Sequence, residues 1–187
     1  MLDSYYKRRV WRLAFENAIG LFSGIKGLDE KSVINACKLV GYEVCYRAGP
    51  SRYKPIENIN PDNNTIENIV TMVNRSIEFW KAYGPVIKSG FTFEGAYTEM
   101  VVVGEGDYLT KDTLWDFKTS KNDLSNAYTL QLLMYYIMGC HSIYPEFKQI
   151  KNLGVFNPRL NKVYLASVDS IPRETVEEVS NEVIGYK

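Results

Sequence analysis

Between Gly104 and Lys118 the chain reads GEGDYLTKDTLWDFK, two strand-like runs separated by the turn pair Lys111-Asp112. A two-residue turn fixes the pairing of the strands it joins. It sets Thr110 opposite Thr113, and therefore Asp107 opposite Asp116. Directly opposed residues on one face have Cβ atoms ~5 Å apart, where like charges repel. Side chains alternate along a strand, so Lys118 shares the face of Asp116. Two converging carboxylates with an ammonium beside them suit a hard divalent cation, since magnesium is commonly held by one or two carboxylates with water and phosphate.

The surroundings strengthen this reading. Asp116 stands between large apolar residues in Leu114-Trp115-Asp116-Phe117-Lys118 rather than at a loop tip. The run Met100-Val101-Val102-Val103 is apolar at every position, the pattern of a central strand covered on both faces. Gly104 and Gly106 remove side chains beside Asp107, which suits close backbone approach by a ligand.

Helical and strand-like patterns organise the rest. Apolar spacing predicts helices over Val10 to Phe22, Asp29 to Val40 with Asp29 as N-cap and Gly41 as stop, and Thr65 to Tyr83 ended by Gly84-Pro85. The stripe of the third helix is Ile66, Ile69, Val70, Val73, Ile77, Trp80 and Tyr83. Ala48 to Asn64 is rich in Pro and Asn and reads as a connection. Strands are expected over Gly90 to Ala96, Met100 to Leu109 and Thr113 to Thr119, then a helix over Leu124 to Gly139. Two more strands, Ile150 to Phe156 and Lys162 to Val168, flank Asn157-Pro158, and a helix from Arg173 to Ile184 follows Pro172. The order from Thr65 is α-β-β-β-α-β with an appended strand and helix. This is an α/β (α+β) arrangement with a central mixed sheet flanked by helices. The expected domains are an N-terminal helical extension, 1–60, and a core, 61–187.

Bulk properties narrow the setting. The 187 residues are 45% hydrophobic and 24% charged, ordinary for a globular chain. No run approaches the ~20 apolar residues that span a bilayer, and the N-terminus lacks the pattern of a secretory signal. The three cysteines, Cys37, Cys45 and Cys140, lack metal-ligand spacing and read as reduced thiols of an intracellular, cytoplasmic protein. Net charge is zero, so any phosphate-binding strip is local: Lys7-Arg8-Arg9 with Arg12, or Arg47 with Arg52 and Lys54. The fourteen tyrosines include candidate base-stacking platforms.

Three short motifs in order resemble the PD-(D/E)xK nuclease superfamily in its RecB-like branch. They are Gly104-Glu105-Gly106-Asp107 (G-x-x-D), Asp116-Phe117-Lys118 followed by Thr119 (D-x-K-T), and Gln131-Leu132-Leu133-Met134-Tyr135 (Q-x-x-x-Y). The resemblance covers about Thr65 to Val168. Gln131 and Tyr135, four apart, stand on one helix face.

The resemblance implies a restriction-endonuclease-like core and metal-dependent phosphodiester hydrolysis, as by a RecB-like DNA exonuclease. It implies Mg2+ or Mn2+ held by Asp107, Asp116 and the Phe117 carbonyl, with Lys118, Gln131 and Tyr135 completing the catalytic set. DNA is favoured over RNA as partner. The family often adds a histidine ligand from an early helix; the only histidine, His141, comes too late and reads as structural or surface. Glu94 is the first choice for the additional acid, ahead of Glu16, with Glu67 and Glu78 behind. The alternative is a binding or regulatory protein on the nuclease fold, such as a phage counter-defence factor acting on a nucleic-acid-guided host complex or its guide RNA. The N-terminal helices would then dock a protein partner.

Overall fold

The computed structural model describes residues 15–48 and 55–186, with side chains described over 15–44 in the first stretch. Lys7, Arg8, Arg9, Arg12, Arg52 and Lys54 lie outside the described residues, as do the side chains of Cys45 and Arg47. The chain divides into two compact units, Met1–Thr71 and Met72–Lys187. The division falls inside a helix, later than the expected boundary at residue 60.

In the first unit, helix α1 covers residues 15–23 and α2 runs Glu30–Ala48. Asp29 caps α2 as its sequence suggests: Oδ1 accepts from the Ser32 N–H at 3.1 Å and Oδ2 from the Ser32 hydroxyl at 2.6 Å. These hydrogen bonds hold the Asp29 carboxyl below its usual range. The expected stop at Gly41 is overturned, because Gly41 is buried within a helix that continues to Ala48. A glycine costs an interior helical position only about 1 kcal/mol, which packing offsets.

Helix α3 spans Asn63–Tyr83 and crosses the division between the units. Its start is capped by Asp62, which accepts from Thr65 N–H at 2.7 Å. The second unit holds a five-stranded sheet in the order β1-β2-β3-β4-β5. The strands are β1 Lys88–Phe91, β2 Gly106–Leu109, β3 Thr113–Phe117, β4 Asn152–Asn157 and β5 Lys162–Ser167. Pairing is antiparallel except between β3 and β4. That parallel step is bridged by α4, Asn126–His141, as a parallel connection requires. The last helix, α5, covers Arg173–Glu178 and passes into a π-helical turn, Val179–Ile184. The result is a mixed sheet flanked by helices, the α+β arrangement expected from the order of helices and strands read in the sequence.

Strand alternation divides the core. On one face Leu109, Leu114, Leu153 and Val155 meet Leu132, Leu133, Ile137 and Met138 of α4. On the other, Trp115 and Phe156 pack around Phe79 of α3. Phe79 is 4% exposed and stacks on Phe156 at a centroid distance of 4.3 Å. The helix therefore buries a face centred on Phe79, while Ile77 of the expected stripe is 45% exposed.

The apolar run before the hairpin is not a strand. Residues 101–105 have no regular structure, and Met100, Val102 and Val103 are 62%, 73% and 77% exposed. Local bonds hold this segment: Thr98 N–H donates to the Val101 carbonyl, and the Tyr97 hydroxyl donates to the Gly104 carbonyl at 3.0 Å. The two glycines also serve a different end from the expected one. A Cβ on Gly106 would lie 2.3 Å from Cε2 of Phe91, and one on Gly104 would lie 3.3 Å from Phe93. Protein rings occupy the space.

Candidate active site

The hairpin register is the one its turn dictates. Tyr108 pairs with Trp115 and Leu109 with Leu114, and Thr110 N–H donates to the Thr113 carbonyl at 3.0 Å. Continuing that ladder sets Asp107 opposite Asp116. Both project to the α4 face, at the carboxyl end of β3, where the chain leaves the sheet to cross to β4. Ligands of open α/β sheets commonly bind at such strand ends.

Asp116 is 4% exposed. The Lys118 ammonium donates to its Oδ1 at 2.9 Å and lies 2.8 Å from its Oδ2. The second contact is an ion pair without hydrogen-bond alignment, so buried Oδ2 has no hydrogen-bond partner. Burial pushes the Asp116 carboxyl up from its usual range; the hydrogen bond and charge of Lys118 oppose that, and the charge of Asp107 adds to it. Asp107 is half-buried, and its Oδ2 accepts from the Phe117 N–H at 2.8 Å.

The α4 motif joins this cluster. Lys118 also donates to Gln131 Oε1 at 3.0 Å, and Gln131 Nε2 donates to the Tyr135 hydroxyl at 2.9 Å. An ammonium can only donate, which fixes the amide with oxygen towards Lys118 and nitrogen towards Tyr135. Asp116, Lys118, Gln131 and Tyr135 thus form one continuous chain linking β3 to α4.

Two further residues belong to the neighbourhood. Tyr128 lies one turn before Gln131, with its ring centroid 5.3 Å from the Lys118 ammonium; the Tyr128-Gln131-Tyr135 spacing was the available signal. Asn157, 3% exposed at the end of β4, donates to the Ser120 carbonyl at 2.8 Å. Its Oδ1 accepts from the N–H groups of Arg159 and Leu160. It therefore fixes the segment leaving Lys118, a role that Asn157-Pro158 in a sequence does not distinguish from a turn.

Two of the remaining acidic candidates, Glu94 and Glu78, lie elsewhere. β1 ends at Phe91, so Glu94 occupies an exposed turn instead of a strand neighbouring Asp107. Its carboxylate meets Thr92 Oγ1 at 3.5 Å. Burial, then hydrogen bonding and charge from Glu94, push the Tyr144 hydroxyl up from its usual value. Glu78 pairs with Lys81 at 2.6 Å on the exposed side of α3. Glu16 and Glu67 belong to the first unit. His141 stacks on Tyr186 at 4.1 Å, a structural placement, and Cys37 and Cys140 are unpaired.

Among the described residues no group of three or more His, Cys, Asp or Glu converges. The donors at the hairpin are oxygens: Asp107, Asp116 with its unsatisfied Oδ2, and the Phe117 carbonyl. In an extended strand a residue's N–H and C=O point to the same side, so the Phe117 carbonyl faces the Asp107 side. Oxygen donors suit magnesium or manganese and not a sulfur- or nitrogen-rich zinc site.

A cavity of about 460 Å3 lies on the same face, lined by Leu130, Leu133, Val155, Leu165 and Val179. Its walls are apolar apart from the hydroxyls of Thr129, Tyr164 and Thr175. Among the described residues no helix is long and apolar enough to cross a membrane. No family model, curated protein or solved structure matches the chain.

Proposed function

We propose that the second unit is a metal-dependent phosphodiesterase acting on nucleic acid, built on the PD-(D/E)xK plan and closest in design to a RecB-like DNA exonuclease. The observation that carries this reading is the chain Asp116–Lys118–Gln131–Tyr135 beside Asp107. The hairpin brings two of the sequence motifs together, and α4, distant in sequence, adds the third to the same polar cluster.

Each residue has a task. Asp107 and Asp116, with the Phe117 carbonyl, would hold a Mg2+ or Mn2+ ion. The chemistry such an ion supplies is acidification of water and neutralisation of charge on the phosphoryl oxygens. Lys118 would orient the attacking water and stabilise the transition state as a point charge. The Gln131 carbonyl oxygen holds that ammonium. The Tyr135 hydroxyl accepts from Gln131, which leaves its own proton free to donate to a substrate oxygen. Asn157 steadies the backbone beyond Lys118.

The test is incubation of the full chain with end-labelled single- and double-stranded DNA and with RNA, in manganese, magnesium or EDTA. The reading requires metal-dependent cleavage of DNA that Lys118→Ala abolishes. No cleavage of any substrate by folded protein would favour the second reading, a binding or regulatory protein on this fold. One observation speaks for that alternative: Phe15, Ile19 and Phe22, one face of α1, are 66%, 50% and 71% exposed, a stripe suited to a protein partner.

A further inference from the structure

The buried carboxylate at the centre of the site is already neutralised from within. Lys118 reaches both oxygens of Asp116, at 2.9 Å and 2.8 Å, so the ammonium stands against the same atoms that a metal ion would need. Asp107 does not compete for this ammonium. Its Oδ2 is engaged by the Phe117 N–H.

Lys118 also has a second place to go. Gln131 Oε1 already shares the ammonium at 3.0 Å, and the Tyr128 ring lies 5.3 Å away. The lysine side chain is 21% exposed against 5% for Asp116. A flexible stem with part of its surface in solvent can shift towards α4 without unfolding its surroundings. The carboxylate, fixed on β3, cannot follow.

We infer that Lys118 is the resident counter-ion of Asp116 and competes with divalent metal for it, with Gln131 as the acceptor that receives the ammonium when metal binds. This inference rests on the metal-dependent reading above. It adds that metal affinity in the free protein is held down by a residue that the reaction itself requires. With Lys118 present the two carboxylates and the ammonium sum to a net charge of −1; without it the same atoms carry −2. At the separations found here, charges in a partly buried site interact strongly enough to move a binding constant by at least about tenfold. Gln131 thereby becomes a positioning residue for metal entry while touching no metal itself.

The test is Mn2+ binding to the full chain, read from the electron paramagnetic resonance signal of free ion. The chains compared are wild type, Lys118→Met, Lys118→Gln, Gln131→Leu and Asp116→Asn, each first checked for folding by circular dichroism. Lys118→Gln keeps the test open if Lys118→Met fails to fold. The inference predicts binding at least about tenfold tighter in the lysine variants, weaker binding in Gln131→Leu, and loss in Asp116→Asn. Wild-type binding lost in Asp116→Asn but unchanged or weakened in both lysine variants would overturn the inference and leave the metal site standing. No binding by any chain would overturn the metal-dependent reading as well.

Discussion

The Asp107 carboxylate accepts the backbone N–H of Phe117 at 2.8 Å, so a side chain on β2 serves a main-chain donor of β3 beyond the last paired residues. The same carboxylate adds its charge to the environment of Asp116. Asp107 is therefore a strand clamp and, on the proposed reading, a metal ligand as well, and its variants should separate the two roles. Asp107→Ala leaves the Phe117 donor unmet and should cost about 1–3 kcal/mol. Asp107→Asn retains an acceptor and should melt close to wild type, while both lose metal-dependent cleavage. Paired thermal melts and cleavage assays check this.

The two best-placed carboxylates for a pH test shift in opposite directions. Burial raises Asp116 above its ordinary value of 3.8, so the folded state holds that proton to higher pH than the unfolded chain does. Between 3.8 and the raised value, Asp116 therefore contributes stability as pH falls. Glu146 is lowered from 4.5, chiefly by its hydrogen bond from Lys88; its contribution is present above 4.5 and is lost as pH falls through its folded value. Wild type should gain on Asp116→Asn, and lose ground to Glu146→Gln, as pH is lowered through these windows. Urea unfolding of the three chains across acidic pH measures both signs.

Phe79 carries the docking of α3 on the sheet. It stacks on Phe156 at 4.3 Å and meets the Trp115 ring edge-on at 4.8 Å. Phe79→Ala should cost about 3–5 kcal/mol. Ile77→Ala, at a position 45% exposed, should cost far less. Equal losses in urea unfolding would contradict this placement.

Gly106 is required by Phe91. A Cβ there would lie 2.3 Å from the ring, and the two residues pair across β1 and β2. Gly106→Ala should destabilise by about 1–3 kcal/mol. Trimming the ring in Phe91→Leu should recover part of that loss, giving a double-mutant cycle with clear coupling.

The geometry of the candidate site was legible where a local rule fixes it. The Lys111-Asp112 turn determines the hairpin pairing, strand parity puts Lys118 with Asp116, and helical spacing puts Gln131 with Tyr135. Each rule operates within a few residues, and each pairing is present. What depended on tertiary packing was not legible. Apolar Met100 to Val103 reads as a covered strand, yet bonds from Tyr97 and Thr98 hold it as an exposed segment. Glu94 follows the end of β1 and so turns towards Tyr144 instead of Asp107. Gly104 and Gly106 look like room for a ligand until Phe93 and Phe91 are seen against them. Nothing in the spacing of α3 places Phe79, and not Ile77, against the sheet, because that choice depends on the rings of Trp115 and Phe156.

The most direct measurement is a crystal of the wild-type chain soaked in manganese and recorded for anomalous scattering. The expected result is a peak in contact with the carboxylates of Asp107 and Asp116, with the Lys118 ammonium withdrawn towards Gln131. Manganese bound only elsewhere, or Lys118 still seated on Asp116 at saturating metal, would contradict it.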